Sequence, residues 1–244
     1  MSAAPASRAS RAVRVALCGA VAAVSLGCAF EGAERPTTDH PAAASDPVTV
    51  QVPSPAPTAA ATPTAAPTPD QGALRTEPAR LTIPAIGVKG LKVVPYEGTT
   101  DDGPGTDIQD RGIAASPYGQ RGGAGPGQVG NYLVTAHRLA AGGPLRELPS
   151  VGIGDKVRVS WDGTVYEYRI TELRKTSFRS ERSLAEQRAA VPGRPGEQPV
   201  KAMITISTCA TPEDHAAGNY WSDEHGNPEH RIDRVGVLVS VSEP

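Results

Sequence analysis

Aromatic residues, cysteine and net charge are all scarce in this sequence of 244 residues. Phe, Trp and Tyr together make up 4% of the residues, so a hydrophobic core must consist mainly of Val, Ile, Leu and Ala. The formal net charge is −2, and no long basic run occurs that could follow a phosphate backbone. We therefore expect no nucleic-acid partner.

Only three cysteines are present, and two of them, Cys18 and Cys28, lie in an apolar segment near the N-terminus. Cys209 is consequently the single thiol in the rest of the chain. Exported proteins normally use cysteines in pairs, so a lone cysteine is buried and inert, paired between molecules, or used in chemistry. The sequence around Cys209, described below, favours the chemical role.

No apolar run is as long as the roughly 20 residues that a membrane-spanning helix requires. The N-terminal apolar run, residues 15–30, follows three arginines, which is the pattern of an export signal. Its end, Val-Ser-Leu-Gly-Cys28, resembles a bacterial lipobox in which Leu is displaced by one position. We predict that residues 1–30 are a signal peptide, a lipoprotein signal lipidated at Cys28, or an uncleaved membrane anchor. Each alternative places the folded part on the extracytoplasmic face of the cell membrane.

Ala, Pro and Thr dominate residues 31–72, and large apolar side chains are few there. Such a segment cannot bury enough surface to fold, and its prolines favour extended polyproline-like geometry. We predict a disordered linker over 31–72 and a single folded domain over 73–244. That domain has about 170 residues, which is enough for one hydrophobic core.

Several stretches of the predicted domain have apolar residues at alternate positions, the pattern of half-buried strands. Pro84 interrupts the first stretch, which is typical of an edge or bulged strand, and Asp162-Gly163 is a strong two-residue hairpin signal. Residues 98–130, rich in Gly, Asp and Pro, are predicted to be loops. Seven or eight strands with little helix predict a mostly antiparallel barrel or sandwich. The clearest strands are 81–88, 131–136, 155–161, 165–171, 202–208 and 235–241, with one short helix at 183–190.

Cys209 and His137 each follow a short apolar stretch that reads as a buried strand. A strand end that opens into a loop is a place where a rigid scaffold presents a reactive group. A thiol needs a nearby base or cation to act as a nucleophile near neutral pH. If the two strands are neighbours, the thiol and the imidazole could meet at one end of the sheet.

Several segments, in the same order along the chain, resemble those of the sortase family of cysteine transpeptidases. Ile206-Ser-Thr-Cys209 resembles the TLxTC signature, and Tyr132-Leu-Val-Thr-Ala-His137-Arg is similar to the segment that carries the sortase histidine. The run RLTIPAIGV resembles the first strand, and the Leu-Arg-Glu-Leu run that ends at Leu148 resembles the segment after the histidine. The resemblance covers residues 80–241.

This resemblance implies an all-β fold, an eight-stranded sortase-type barrel with one or two short helices, and a Cys/His/Arg site. The cysteine would attack the Thr–Gly bond of a C-terminal sorting signal on a surface protein. The acyl group would then pass to an amine of a peptidoglycan precursor or a pilin. His137 would move the protons, and an arginine would stabilise the oxyanion. We expect no cofactor, and the sequence leaves regulation by calcium open.

Two arginines are candidates for the oxyanion role, because the loop after Cys209 is longer than is usual in the family. Arg231 follows His230 and precedes Ile232, as in the family's His-Arg-aliphatic run, whereas Arg234 directly precedes the last apolar strand. Three residues apart on a strand, the two would face opposite sides, so only one can serve. We assign Arg231, with Arg234 as the alternative. The other arginine is expected to point to solvent or to pair with Asp233.

Other functions stay open at this point. Cys209 could be inert in an exported, lipoprotein-like binding domain without enzymatic activity. An L,D-transpeptidase also uses Cys and His, but the residues around Cys209 lack its Ser/Gly-rich motif with a nearby histidine. A papain-like hydrolase would have its cysteine early, at the start of a helix. The linker and the His-Arg segments resemble those of class E sortases of high-GC Gram-positive bacteria, a class associated with LAxTG signals.

The loop after Cys209 contains several groups that could in principle bind a metal, but their spacing matches no zinc signature. A solvated polar loop is the favoured interpretation, and we predict no metal site. Arg138, beside His137, is expected to be a surface charge. The groups concerned are His215, His225, His230, Asp214, Asp223 and Glu224.

Deleting residues 1–72 should leave a soluble, active domain, because neither the export signal nor the Pro-rich linker can contribute to the core. Thermal unfolding followed by circular dichroism should stay cooperative and close to that of the longer protein. A broad, non-cooperative transition after the deletion would show that the boundary near residue 73 is wrong.

Overall fold

The structure is a computed structural model, and it describes residues 75–243. The predicted signal segment 1–30, with the lipidation candidate Cys28, and the predicted linker 31–72 lie outside the described residues. Among the residues that are described, no helix is long and apolar enough to cross a membrane.

Eight strands and three short α-helices account for the regular structure of the described part. The strands are β1 (Ala79–Ile83), β2 (Val88–Glu97), β3 (Ala114–Tyr118), β4 (Gly130–Thr135), β5 (Lys156–Trp161), β6 (Thr164–Ser177), β7 (Ala202–Cys209) and β8 (His230–Ser242). The helices are α1 (Gly103–Gln109), α2 (Glu181–Arg188) and α3 (Thr211–Ala216), with short 3₁₀ turns at Pro84–Ile86 and Leu148–Ser150.

The strands close into a barrel in the order β1-β2-β3-β4-β7-β8-β6-β5. Six of the neighbouring pairs are antiparallel, and the pairs β2–β3 and β4–β7 are parallel. The predicted eight-stranded barrel is thus confirmed. The first strand is not an edge strand, because β1 pairs with both β2 and β5, although its register does shift between Leu81 and Ile83. Pro84 lies just beyond β1, where the missing N–H removes no hydrogen bond from the sheet.

Alternation along β4 and β7 separates an apolar inner face from an outer face that is polar except for Leu133 and Met203. Tyr132 and Val134 of β4 and Ile204 and Ile206 of β7 belong to the hydrophobic core. The outer faces carry polar residues that are nevertheless buried, because neighbouring segments cover them. These residues are Asn131 and Thr135 of β4 and Thr205 and Ser207 of β7.

Two adjoining side chains show how the outer face of β4 and β7 is covered. Asn131 donates from Nδ2 to the carbonyl oxygens of Gln187 and Ala189, at 2.9 and 3.1 Å, and Thr205 donates to the Asn131 Oδ1 at 2.8 Å. The C-terminal end of α2 is therefore fixed on this face by hydrogen bonds rather than by apolar packing.

Residues 98–130 are not only loops, as the composition had indicated, because they contain α1 and β3. Asp102 caps α1 by accepting a hydrogen bond from the amide of Gly105 at 2.9 Å, and a proline occupies the first turn. Ile108 packs with Tyr96 and Ala115 in a small apolar cluster. Capping and tertiary packing thus stabilise a helix whose glycines have low intrinsic helix propensity.

The turn between β5 and β6 has the predicted two-residue form. Asp162 and Gly163 both have positive φ, 46° and 71°, as a type I′ turn requires. β6 continues to Ser177, beyond the predicted end, because β8 pairs with it along that whole length.

Gly127 should be far more sensitive to substitution than Gly196, although both have a positive φ, +73° and +85°. A Cβ on Gly127 would overlap the ring of Tyr166, whereas a Cβ on Gly196 would meet nothing within 4 Å. We expect Gly196→Ala to lower the free energy of unfolding by about 1 kcal/mol and Gly127→Ala by about 3 kcal/mol or more. Denaturant unfolding measures both, and equal losses would contradict this account.

Candidate active site

Cys209 is the last residue of β7, and Arg231 lies directly opposite it on β8. Directly opposed residues on an antiparallel pair project their side chains from the same face of the sheet. The Arg231 Nη1 donates a hydrogen bond to the Cys209 Sγ. Sheet register, rather than a loop, therefore fixes a guanidinium against the only cysteine among the described residues.

Arg231 is 1% exposed, and its guanidinium is surrounded by specific partners. Nη2 pairs with the Asp101 Oδ1 at 2.8 Å and donates to the Asn227 Oδ1 at 2.8 Å. The ring of Phe178 lies 4.9 Å from the guanidinium carbon. Burial alone would lower the pKa of Arg231, but Asp101, Cys209 and Asp233 outweigh it, and the net shift is upward. The side chain therefore stays charged.

Arg234 lies elsewhere, as the three-residue spacing on a strand requires. Its Nε and Nη2 donate to the carbonyl oxygens of Val151 and Pro149, each at 2.7 Å. Arg234 does not point to solvent, as one alternative expected, and it contacts Asp233 only through the backbone, where Nη1 donates to the Asp233 carbonyl oxygen at 3.1 Å. Arg234 is buried, and it donates to two carbonyl groups at the end of the Leu148–Ser150 turn.

Asp233 lies inside β8 with no exposed surface, a position that the sequence indicated to be costly. Its carboxylate accepts hydrogen bonds from the Thr176 Oγ1 at 2.6 Å and the Gln187 Nε2 at 3.1 Å. Burial raises the pKa of Asp233, and the hydrogen bonds oppose that rise without cancelling it. Because these donors bind the Asp233 carboxylate, β8 can begin with polar residues beside Cys209.

His137 is brought level with Cys209 by the parallel pairing of β4 and β7. Thr135 pairs with Ser207, so continuing this register by two residues places His137 beside Cys209. The hydrogen bond with Cys209 raises the pKa of His137, burial opposes this, and the contact with Asp110 raises it further; the net shift is upward. The His137 Nε2 lies 2.7 Å from the Asp110 Oδ1. The sequence-predicted cysteine and histidine thus meet at one end of the barrel, together with Arg231.

Arg138 is not the surface charge that the sequence indicated. Its side chain is 11% exposed and forms an ion pair with Glu213 of α3. Nη1 also donates to the Cys209 carbonyl oxygen at 3.4 Å, and Nε donates to the Arg146 carbonyl oxygen at 3.3 Å. Arg138 therefore joins the end of β4 to the start of α3, directly after the cysteine.

The other histidines among residues 75–243 contact side chains of the protein. Between residues 75 and 243, no group of three or more His, Cys, Asp or Glu side chains is placed to hold a metal ion. His230 pairs with Asp214 at 2.8 Å, and His215 lies against the ring of Tyr220 with centroids 4.7 Å apart. Asp214 is buried and also accepts from the His230 amide at 3.0 Å, so this pair helps to fix α3.

Four polar residues of the site were not identified from the sequence: Asp101, Asp110, Asn227 and Gln187. Two of them flank α1, in the stretch that composition assigned to loops. The available signal was the presence of isolated acidic residues among small ones. That signal predicts a helix cap at Asp102, but it does not show which groups the nearby aspartates contact.

Comparison with known proteins gives one family. The family model described as Sortase domain matches residues 81–221, more than half of the chain. Among solved structures, the SrtA sortase from Actinomyces oris superposes with a TM-score of 0.53 at 20% identity, covering 72% of this chain and 87% of that one. Sortase E1 from Streptomyces coelicolor, solved with a tripeptide in its active site, gives 0.51 at 21% identity, covering 68% and 89%. No curated protein matches the sequence.

Replacing Arg231 by Ala should lower the catalytic rate by about 10²-fold, roughly 3 kcal/mol, because a cation fixed against the sulfur is lost. Arg231→Lys should restore little, since a point charge does not reproduce the planar fork. Rates are taken per folded molecule, because the buried carboxylate of Asp101 loses its counter-ion in Arg231→Ala.

Arg234→Ala is the matched comparison on the same strand. It should lower stability by about 2 kcal/mol, because one buried and one part-buried carbonyl lose their donor, and leave the rate per folded molecule close to the parent value. If Arg234→Ala alone impairs the rate, the assignment of Arg231 is wrong. If neither variant does, the Cys/His/Arg mechanism fails.

Proposed function

Because the chain belongs to the sortase family, and is therefore a cysteine transpeptidase, we propose that it cleaves a C-terminal sorting signal and transfers the protein to an amine. The cleaved bond is the Thr–Gly bond of an LPxTG- or LAxTG-like motif. The acceptor is an amine of a peptidoglycan precursor or a pilin. Family membership excludes the three alternatives considered from the sequence: a binding domain without activity, an L,D-transpeptidase and a papain-like hydrolase.

The observation that carries this proposal is the contact of Arg231 with the Cys209 sulfur, with His137 at the same end of the barrel. A carbonyl carbon attacked by sulfur develops its oxyanion close to that sulfur. A guanidinium already in contact with the sulfur is suited to stabilise that charge, and both residues are buried. No rearrangement of β7 or β8 is needed to bring the two groups together, since they are paired in register.

Proton transfer falls to His137. Its upward pKa shift favours the imidazolium near neutral pH, the form that can donate a proton to the departing glycine amine. The neutral imidazole left behind can then take a proton from the incoming amine. The acyl group is held meanwhile as a thioester on Cys209, so one difficult exchange becomes two easier ones.

A peptide substrate agrees with the relatives, since the sortase E1 structure is described with a tripeptide in its active site. The linker and His-Arg segments resemble class E sortases, and this supports an LAxTG-like signal. The arginines and apolar run within residues 1–30 support action at the extracytoplasmic face of a Gram-positive cell membrane, near the cell wall.

Cys209→Ala should abolish cleavage of an LPxTG or LAxTG peptide and leave the fold intact, because the change removes the nucleophile and little volume. His137→Ala should be nearly as severe, because it removes the proton shuttle. Chromatography and mass spectrometry of the peptide, with triglycine as acceptor, detect both cleavage and transfer. In the parent protein, a thioester adduct on Cys209 should be detectable by intact mass. A parent-like rate in Cys209→Ala would disprove the proposed function.

A further inference from the structure

We propose that the segment 101–110, built around α1, positions both partners of Cys209, with Asp101 holding Arg231 and Asp110 holding His137. The inference rests on the proposed roles of those two residues. Asp101 and Asp110 flank the same seven-residue helix, one just before it and one directly after it. They act through Arg231 and His137, so they are positioning residues.

Asp101 is a buried carboxylate whose side chain is 1% exposed. Its Oδ1 lies 2.8 Å from the Arg231 Nη2 and accepts from the Gln109 Nε2 at 2.9 Å. A buried carboxylate is costly unless it is paired, and Arg231 supplies the opposite charge. The pair therefore fixes the end of the guanidinium that does not contact the sulfur.

The backbone of Asp101 supports the same interpretation. Its φ is 59°, in the left-handed region that non-glycine residues seldom adopt. The carbonyl oxygen accepts from the Asn227 Nδ2 at 3.5 Å, and Asn227 also contacts Arg231. A less favoured backbone conformation is thus kept where it directs a carboxylate at the guanidinium, as strained residues at functional sites often are.

Asp110 directly follows α1, and its carboxylate contacts the His137 ring. Its Oδ1 lies 2.7 Å from the His137 Nε2, and its side chain is 60% exposed. A carboxylate that accepts from Nε2–H keeps the proton on that nitrogen and leaves Nδ1 to exchange a proton with other groups. It also fixes the plane of the ring, the role that a carboxylate plays toward histidine in other nucleophilic sites.

One rigid element connects the two contacts. Asp102 caps α1 and also accepts from the Thr99 amide at 2.9 Å, while Ile108 packs beneath the helix. Gln109 is buried and bonded to Asp101. A shift of α1 would therefore move both carboxylates together, and with them the groups from β4 and β8 that flank the sulfur.

Asp110→Asn tests the first contact, with Asp107→Asn as the matched control. Asp107 is exposed on the same helix, so its variant makes the same charge change away from the site. The titratable groups acting on His137 are Cys209 from β7 and Asp110 from α1; Arg231 contacts the same sulfur, and the Arg138–Glu213 pair adjoins His137.

Asp110→Asn should lower the pKa of His137, read by NMR of the imidazole nitrogens, and reduce kcat roughly tenfold with KM little changed. A lower pKa deprotonates His137 at lower pH, so the alkaline limb of the pH–rate profile should move to lower pH. Asp107→Asn should change neither quantity. An unchanged His137 pKa and rate in Asp110→Asn overturns this half of the proposal.

Asp101→Asn tests the second contact through a double-mutant cycle with Arg231→Ala. Alone, Asp101→Asn should reduce kcat by about 10²-fold per folded molecule, comparable to Arg231→Ala. In the Arg231→Ala background it should reduce kcat no further, because it acts through the guanidinium. If the reductions of kcat in the two single variants multiply in the double variant, the proposal is overturned.

If Asp101→Asn alone does not fold, the stability of the double variant tests the same contact. The double variant removes both members of the buried pair, so its Tm should be no lower than that of Arg231→Ala. A Tm of the double variant that lies well below that of Arg231→Ala contradicts the pairing. Cys209→Ala separates the two levels of inference: if it is inactive while both aspartate variants behave like Asp107→Asn, only the positioning role fails. If Cys209→Ala is fully active, the proposed function and this inference both fail.

Discussion

A guanidinium buried as deeply as that of Arg231 loses its hydration and must find its partners inside the protein. The partners come from three separate parts of the chain: Asp101 before α1, Asn227 in the segment before β8, and Cys209 at the end of β7. Satisfying one cation thus joins segments that are distant in sequence around the sulfur. The contacts that stabilise Arg231 in the interior are therefore also the contacts that hold it against the Cys209 sulfur.

The barrel supplies the frame for this arrangement through its two different pairings of β7. The parallel pairing with β4 places the ends of both strands at one end of the barrel, so His137 arrives beside Cys209. The antiparallel pairing with β8 places Arg231 directly opposite the cysteine. A strand that is parallel to one neighbour and antiparallel to the other can therefore gather a base and a cation at its end without a long catalytic loop.

Hydrogen bonds between polar side chains on the outer face of the barrel connect α2 to the strands that carry the site. The Gln187 side chain, fully buried, accepts from the Thr100 Oγ1 at 3.1 Å. Its Nε2 donates to the Ser207 Oγ at 3.2 Å and to Asp233 at 3.1 Å. Such a network is stabilising only when each member has a partner, and it links α2 and the segment before α1 to the strand that carries Arg231.

The sequence by itself determined the strands whose apolar residues alternate, the Asp162-Gly163 turn and the order of the family segments, because these depend on neighbours in the chain. It also identified Cys209, His137 and Arg231 as candidates for a single site. Tertiary structure alone decided that α1 forms, since its glycines disfavour a helix and its stability comes from a cap and from Ile108. It likewise decided the partners of Arg138, Arg234 and Asp101, because a charged side chain takes the partner that the fold brings near, and no pattern along the chain records that distance.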